Sequence, residues 1–310
     1  MDNTSLKKIG AESWQLLSKE EKEADKIVRP SMTYWEDVWR RMKNNKVAMG
    51  SLIFLTLLGL AVILIPMFYP ISYSDQNLMN ANLPPGEGGL FGTDKLGRDL
   101  FIRVVYGARI SLTVGVAASI INFIVGVVYG GVSGYAGGRV DNIMMRIVDI
   151  IYTVPLMLIV ILLMVWLGQG MKSILIAIGT TYWIGMARMV RGQIFSLKEQ
   201  EYVMAAKTLG ASDSRILFKH LVPNAMGPII VTMTMSVPQA IFTEAFLSFV
   251  GLGVSAPMAS WGVLCNDALE TFTLYPWHLF FPAAALSLTM LAFNFLGDGL
   301  RDALDPKMRK

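Results

Sequence analysis

Cysteine and histidine are almost missing from this chain: Cys265 is the one thiol, and His220 and His278 are the two histidines among 310 residues. A single thiol excludes an intrachain disulfide, and two distant imidazoles give no metal-ligand spacing. Charge is scarce as well, at 16% Asp, Glu, Lys and Arg, against 54% hydrophobic residues and a mean hydropathy of +0.50. That balance excludes an ordinary soluble domain and points to a bilayer as the solvent. The apolar core of a signal peptide is lacking too, because residues 1–46 hold ten Lys or Arg and eight Asp or Glu. The expectation is a polar segment that stays cytoplasmic, followed by an uncleaved anchor. A net charge of +4 and a pI near 9.1 do not make a nucleic-acid surface, since the basic residues are divided among short segments between apolar runs.

What is present is a series of long apolar runs. About 20 apolar residues cross ~30 Å of hydrocarbon, and six segments qualify: 47–69, 110–135, 147–167, 173–190, 225–247 and 277–296. The fourth has the shortest charge-free stretch, and Tyr182 and Trp183 are expected toward an interface, with Arg188 and Arg191 reaching the head groups. The fold class expected is an all-α membrane protein of about six transmembrane helices, with a cytoplasmic helical insert at 195–223 between spans 4 and 5. The polar segments on one side hold 22 of the 27 Lys and Arg, which predicts both termini in the cytoplasm. Residues 1–46 then form a cytoplasmic N-terminal segment, 47–300 the transmembrane domain and 301–310 a cytoplasmic tail.

Gly126, Gly130, Gly134 and Gly138 recur every four residues, so they share a helix face against which a neighbouring helix is expected to press. The insert reads EYVMAAKTLGASDSRILFKHLVPN from Glu201 to Asn224. Tyr202, Ala205, Ala206 and Leu209 fall at i, i+3, i+4 and i+7 and predict one apolar stripe, which Gly210 ends with a left-handed turn. Ser212 or Asp213 is placed to cap a second short helix whose Ile216, Leu217, His220 and Leu221 share a face and which Pro223 closes. An amphipathic helix on the lipid surface is the plainer reading, but two alanines anchor poorly in lipid and leave a low surface that another protein can approach.

Glu244 lies about nineteen residues into an apolar run, which at ~1.5 Å per residue sets it in the outer part of the membrane. It either lines a path or makes a structural hydrogen bond beside the 251–253 turn. Asp94 with Arg98 and Asp99 with Arg103, each at i, i+4, predict a short outer helix. Asp141 is placed to cap the third span, and Arg146 with Asp149 to pair at its start. GQGMKS at 168–173 lacks the spacing and preceding strand of a phosphate loop. No nucleophile, base or paired carboxylates form a catalytic constellation.

After Ala205-Ala206 come three residues, Gly210, nine more and then His220-Leu221-Val222-Pro223. This spacing resembles the EAA motif of binding-protein-dependent ABC importer permeases, with Met204 where that motif has Glu and only the proline of its final I-x-L-P retained in full. FGTDKLGRDLFIRVVYGARISL at 91–112, GYAGGRVDNIMMRIVDIIYTVP at 134–155, TEAFLSFVGLGVSAPMASWG at 243–262 and LGDGLRDALDP at 296–306 look like the C-type permease of peptide and nickel importers. The resemblance implies a non-enzymatic subunit in a bacterial cell membrane, forming half of a translocation path with a homologous B-type permease. It further implies two ATP-binding subunits, which carry the ATP and Mg while this chain has no cofactor, and an extracytoplasmic binding protein that delivers a di- or oligopeptide. Tyr202, Ala205, Ala206, Leu209, Gly210, Ile216, His220 and Pro223 would then couple to the ATPases. Nickel, glutathione and opine importers share the same blocks. A secondary transporter would need an ion relay where only Glu244 stands, and a membrane hydrolase would need a base near its nucleophile, whereas His220 and His278 fall on opposite sides.

Overall fold

The structure, a computed structural model, describes residues 33–305, and its main unit begins at Val38. Most of the 1–46 segment, Pro306 and the last residues of the tail lie outside the described residues. Among those described, every regular element is helical apart from one bridge between Thr93 and Asp99. Helix α1 covers Tyr34–Asn44, and α2, Lys46–Phe68, starts where the Asn45 side chain accepts from Ala48 N at 3.1 Å. Helix α3, Leu100–Ala136, runs unbroken for 37 residues. It is followed by α4 at Gly138–Thr153, α5 at Leu156–Leu167 and α6 at Met171–Leu197. The insert contributes α7, Glu201–Thr208, and α8, which starts at Asp213–Arg215, widens to a π-helix over Ile216–Leu221 and ends at Val222–Asn224. Then come α9 at Met226–Phe249, α10 at Trp261–Ala268 and α11 at Trp277–Leu304.

Five of these, α2, α3, α6, α9 and α11, are long and apolar enough to cross a membrane, and α4 with α5 makes a sixth if the pair is one broken span. That break corrects the expectation of a single run over 147–167. Pro155 has no amide hydrogen to donate and disfavours the helical region for the residue before it. Val154 is accordingly extended, at φ −84° and ψ 130°, and the helix axis turns by 82°. Three spans are longer than their apolar runs suggested. Asp99 caps α3, accepting from Phe101 N at 2.8 Å and Ile102 N at 3.2 Å, so the helix begins ten residues before 110. α6 runs on through Arg188, Arg191 and Leu197, which shortens the insert expected at 195–223, and α11 takes in residues 301–304 of the expected tail.

Helices α3, α6 and α9 supply much of the fully buried surface, including Val114, Ala118, Ile174, Ile178, Met186, Ala187, Ile229 and Ile241. α3 lies closely along α6. A Cβ at Gly126 would come 2.5 Å from Met186 Cβ, one at Gly130 would overlap Ala187 O, and one at Gly134 would stand 2.7 Å from Arg191 O. These glycines are therefore where backbone meets backbone. Gly138, expected in the same row, is not on it: it opens α4 at φ +54° with open space around its Cβ position, because the chain has already turned at Gly137.

Candidate functional site

The insert and the ends of α3 and α6 form one corner. Val203, Ile216, Leu217 and Leu221 are buried in a single cluster with Val127 of α3, Met186, Val190 and Ile194 of α6, and Ile229 of α9. The apolar stripe on α7 is split between inside and outside. Tyr202, Ala205 and Leu209 are exposed, Leu209 at 87%, whereas Ala206 is half-buried against the cluster beside Val203. Gly210 turns with φ +79°, its amide donates to Lys207 O at 2.9 Å, and Ala211 N reaches Ala206 O at 3.0 Å, so the last carbonyls of α7 are satisfied. That is the left-handed helix end the sequence predicts.

On α8, Ile216, Leu217, His220 and Leu221 do share a face, and that face is turned inward. Ile216 is fully buried and stands in the core rather than on the surface, Leu217 and Leu221 go with it, and Phe218 and Lys219 are outside. Ser212 occupies the cap position without a side-chain cap bond. Pro223, exposed, does not close the helix but is part of its final turn. Having no amide hydrogen, it leaves an acceptor unfilled in the turn before it, and the helix there is widened, with Val222 N bonded to Leu217 O. Half-buried His220 offers its carbonyl to Asn224 Nδ2 at 2.6 Å.

Several ion pairs differ from those expected. Asp141 does not cap α4, since Gly137 is in that position. Its buried carboxylate instead accepts from Ser133 Oγ at 2.6 Å and from Arg191 Nε and Nη2 at 2.5 and 2.6 Å. Asp149 pairs with Arg188 Nη2 at 2.6 Å rather than with Arg146, and the Arg188 guanidinium also lies 4.3 Å from the centre of the Tyr152 ring. Both arginines thus tie α6 to α4 rather than reaching away from the protein. Trp183 packs on Tyr129 of α3, ring centres 4.6 Å apart.

Midway along the spans, a cavity of about 870 Å³ opens between α4, α5, α6, α9 and α11. Tyr182, Gln239, Thr243 and Asn294 give it polar groups, Phe242 and Met290 apolar ones, and among the described residues no Asp, Glu, Lys, Arg or His lines it. Tyr182 and Thr243 hydrogen-bond to each other through their hydroxyls. The Val154–Pro155 break faces the cavity, so the kink makes part of its wall. Glu244 is not among the lining residues. It is fully buried, accepting from Ser111 Oγ on one oxygen and Ser248 Oγ on the other, both at 2.7 Å, which is the structural one of its two readings. The cavity groups escaped sequence reasoning, although Gln239 and Asn294 are amides inside apolar runs and Pro155 is a helix breaker.

At the opposite end from the insert, residues 69–99 fold onto the start of α3 without the short helix expected there. Asp94 does pair with Arg98, at 2.6 Å, but across a turn. Asp99 serves as the α3 cap, and Arg103 instead reaches Asp94 at 3.5 Å and Asp267 at 3.4 Å. Tyr69 donates to Asp99 at 2.7 Å, and burial together with that carboxylate pushes its hydroxyl up to about 12. His278 links Thr93 O, at 2.7 Å from Nε2, to Thr271 Oγ1, at 2.8 Å from Nδ1. Close pairing of this kind holds a long connection in one conformation.

The family model described as binding-protein-dependent transport system inner membrane component matches residues 125–310, and the one described as the N-terminal TM domain of oligopeptide transport permease C matches residues 33–85. Over 288 residues the chain is 57% identical to the oligopeptide transport system permease protein OppC of Bacillus subtilis (strain 168), a match covering 93% of this chain and 94% of that protein. It is 55% identical over 301 residues to the dipeptide transport system permease protein DppC of the same organism, covering 96% and 94%. Identity to OppC of Escherichia coli (strain K12) is 46% over 288 residues, covering 92% and 95%. Among solved structures it is similar to the MetNI methionine ABC transporter in inward facing conformations, with a TM-score of 0.52 and 16% identity over 66% of this chain and 96% of that one. The last likeness concerns the fold alone.

Proposed function

Because this chain belongs to the family of binding-protein-dependent transport system inner membrane components, we propose that it passes di- or oligopeptides through a path completed by a second, B-type permease. The chain is a permease component and not itself the enzyme. The observation that carries the peptide reading is the cavity wall together with the similarity to peptide permeases. Gln239, Asn294, Tyr182 and Thr243 offer donors and acceptors suited to amide groups, and without a charged lining residue there is nothing to hold one side-chain class and stall it. A nickel or glutathione importer fits the same fold, but the curated relatives at 46–57% identity over nearly the full chain are named for oligopeptides and dipeptides.

ATP binding and hydrolysis then belong to two separate subunits docked on the insert, and cargo reaches the cavity from an extracytoplasmic binding protein. Alternating closure of the ATPases biases the helix bundle between two openings. The test is uptake of a labelled dipeptide and tetrapeptide by the complete importer in proteoliposomes. ATP-dependent accumulation of peptide, unaffected by collapsing a proton gradient, is expected. Accumulation driven by the gradient without ATP would remove the importer reading, and transport of nickel chelates but not peptides would replace the substrate.

We further infer that both termini and the insert face the cytoplasm. With Cys265 replaced, cysteines at Asn82 and Ser255 are expected to react with an impermeant maleimide from outside, and one at Ser212 only after the membrane is opened. Ser212 and Ser255 are exposed and Asn82 is half-buried. Labelling of Ser212 in intact cells with protection of the other two would invert the orientation.

A further inference from the structure

By connectivity, the insert would hand its movement to α6 and α9, the helices it joins. Its side-chain contacts lead elsewhere. Tyr135, the second-last residue of α3, donates its hydroxyl to Asp213 Oδ1 of α8 at 2.6 Å, and Lys207 Nζ of α7 lies 5.6 Å from the centre of the same ring. Both halves of the insert therefore hold one residue of α3. One turn earlier, Leu217 of α8 lies against Gly131, whose Cβ position is 3.5 Å from Leu217 Cδ1, and Lys198 Nζ donates to Gly134 O at 3.1 Å.

The far end of α3 is fastened as well. Trp261 Nε1 of α10 donates to Val104 O at 3.1 Å, Gly107 allows the Ser260–Trp261 backbone to approach, and Arg103 pairs with Asp267 at 3.4 Å. Between these anchors, 37 continuous residues extend about 55 Å at ~1.5 Å per residue. α9 is a poorer rod, for it leaves the insert through a π-helix and carries Pro238 inside, where a backbone hydrogen bond is lost.

We propose that α3 is the strut that carries displacement of the insert to the opposite end of the protein, and that Tyr135 is its positioning residue through the hydrogen bond to Asp213. The proposal rests on the importer reading and deepens it. If the insert is pushed, α3 is driven along with the α6 that its glycines touch, and the loops around α10 move because α10 is bonded to α3. The discrete element is the whole helix rather than a chain of loosely coupled side chains.

The test uses the complete importer in proteoliposomes and reads peptide accumulated per ATP hydrolysed. Tyr135→Phe removes only the hydroxyl, and Tyr135→Gln restores a donor of different shape. The expected result is at least a fivefold fall in peptide per ATP for Tyr135→Phe, with the ATPase subunits still bound, and recovery to within about twofold of wild type for Tyr135→Gln. An unchanged ratio in Tyr135→Phe overturns the proposal. So does an equal fall in both variants, since restoring a donor would then restore nothing, or a fall explained by loss of the ATPase subunits. Failure of the wild-type importer to use ATP at all would strike the importer reading instead, so the two failures are distinguishable.

Discussion

Replacing Gly130 with leucine is expected to remove the folded chain from the membrane almost completely, whereas leucine at Val128 is tolerated. A side chain at Gly130 would have to enter Ala187 O, with the Ala187 carbonyl carbon at 2.9 Å from its first atom. Both obstacles are backbone inside a helix, and backbone yields far less readily than a side-chain tip. Overpacking a well-fitted interior costs about 1–3 kcal/mol per added group when side chains can adjust, and here α3 and α6 must separate along their length. The loss spreads to Gly126 and Gly134, which meet Met186 and Arg191 on the same line. Since marginal stability amounts to about 5–15 kcal/mol, forcing the two helices apart is expected to leave little native protein. Val128 is on another face and 46% exposed, so the longer side chain has room. The measurement is the amount of chain recovered from membranes in mild detergent and its thermal midpoint. Equal recovery of both variants would mean that α3 and α6 do not meet at this line.

The glycine row was legible because a four-residue spacing maps directly onto one helix face, and the structure brings Gly126, Gly130 and Gly134 to a neighbouring backbone. Gly138 broke the pattern for a reason no spacing reveals, since the chain turns at Gly137 before reaching it. Hydropathy located the spans but was blind to direction: Ile147 to Leu167 reads as one apolar run, and only the restriction that Pro155 puts on Val154 turns it by 82°. Local pairing rules had mixed success for the same reason. Asp94 and Arg98 do meet, because their separation is short in almost any compact turn. Asp99 turned to the first amides of α3 instead of to Arg103, and Asp141 and Asp149 found partners on α6, which i, i+3 and i, i+4 counting does not include. The shared face of Ile216, Leu217 and Leu221 was legible from spacing, but that it turns inward, leaving Ile216 no contact surface for another subunit, depends on the α3 and α6 cluster that covers it. The cavity was the least legible part, since Gln239 and Asn294 lie 55 residues apart in sequence and come together only when α9 crosses α11.

Gly210→Asp and Ala205→Asp are each expected to abolish ATP-dependent uptake while the chain stays inserted. The two substitutions act by different routes on one surface. At Gly210 the backbone is left-handed, φ +79°, and a Cβ there meets nothing within 4 Å. Within the chain its cost is therefore only the conformational one, about 1 kcal/mol, and aspartate is among the residues that tolerate this region best. Such a cost does not unfold a protein of this size. Ala205 is exposed on α7, so an aspartate there disturbs no internal contact either. Ala206 is less suitable for the purpose, because it packs on the buried cluster and a carboxylate would damage the insert itself. On the importer reading, the exposed face of Tyr202, Ala205 and Leu209, with the low surface at Gly210, is where an ATPase groove closes over the chain. An added carboxylate must be desolvated there without a partner, and one uncompensated charge in an interface costs several kcal/mol. At 1.4 kcal/mol per tenfold change in affinity, a loss of about 4 kcal/mol weakens ATPase binding roughly a thousandfold. Co-purification of the ATPase subunits with the permease should fall in step with uptake, while the amount of chain and its B-type partner stay level. If both variants keep the ATPases and transport normally, α7 is a surface helix, and coupling must be sought on the exposed side of α8, at Phe218 and Lys219.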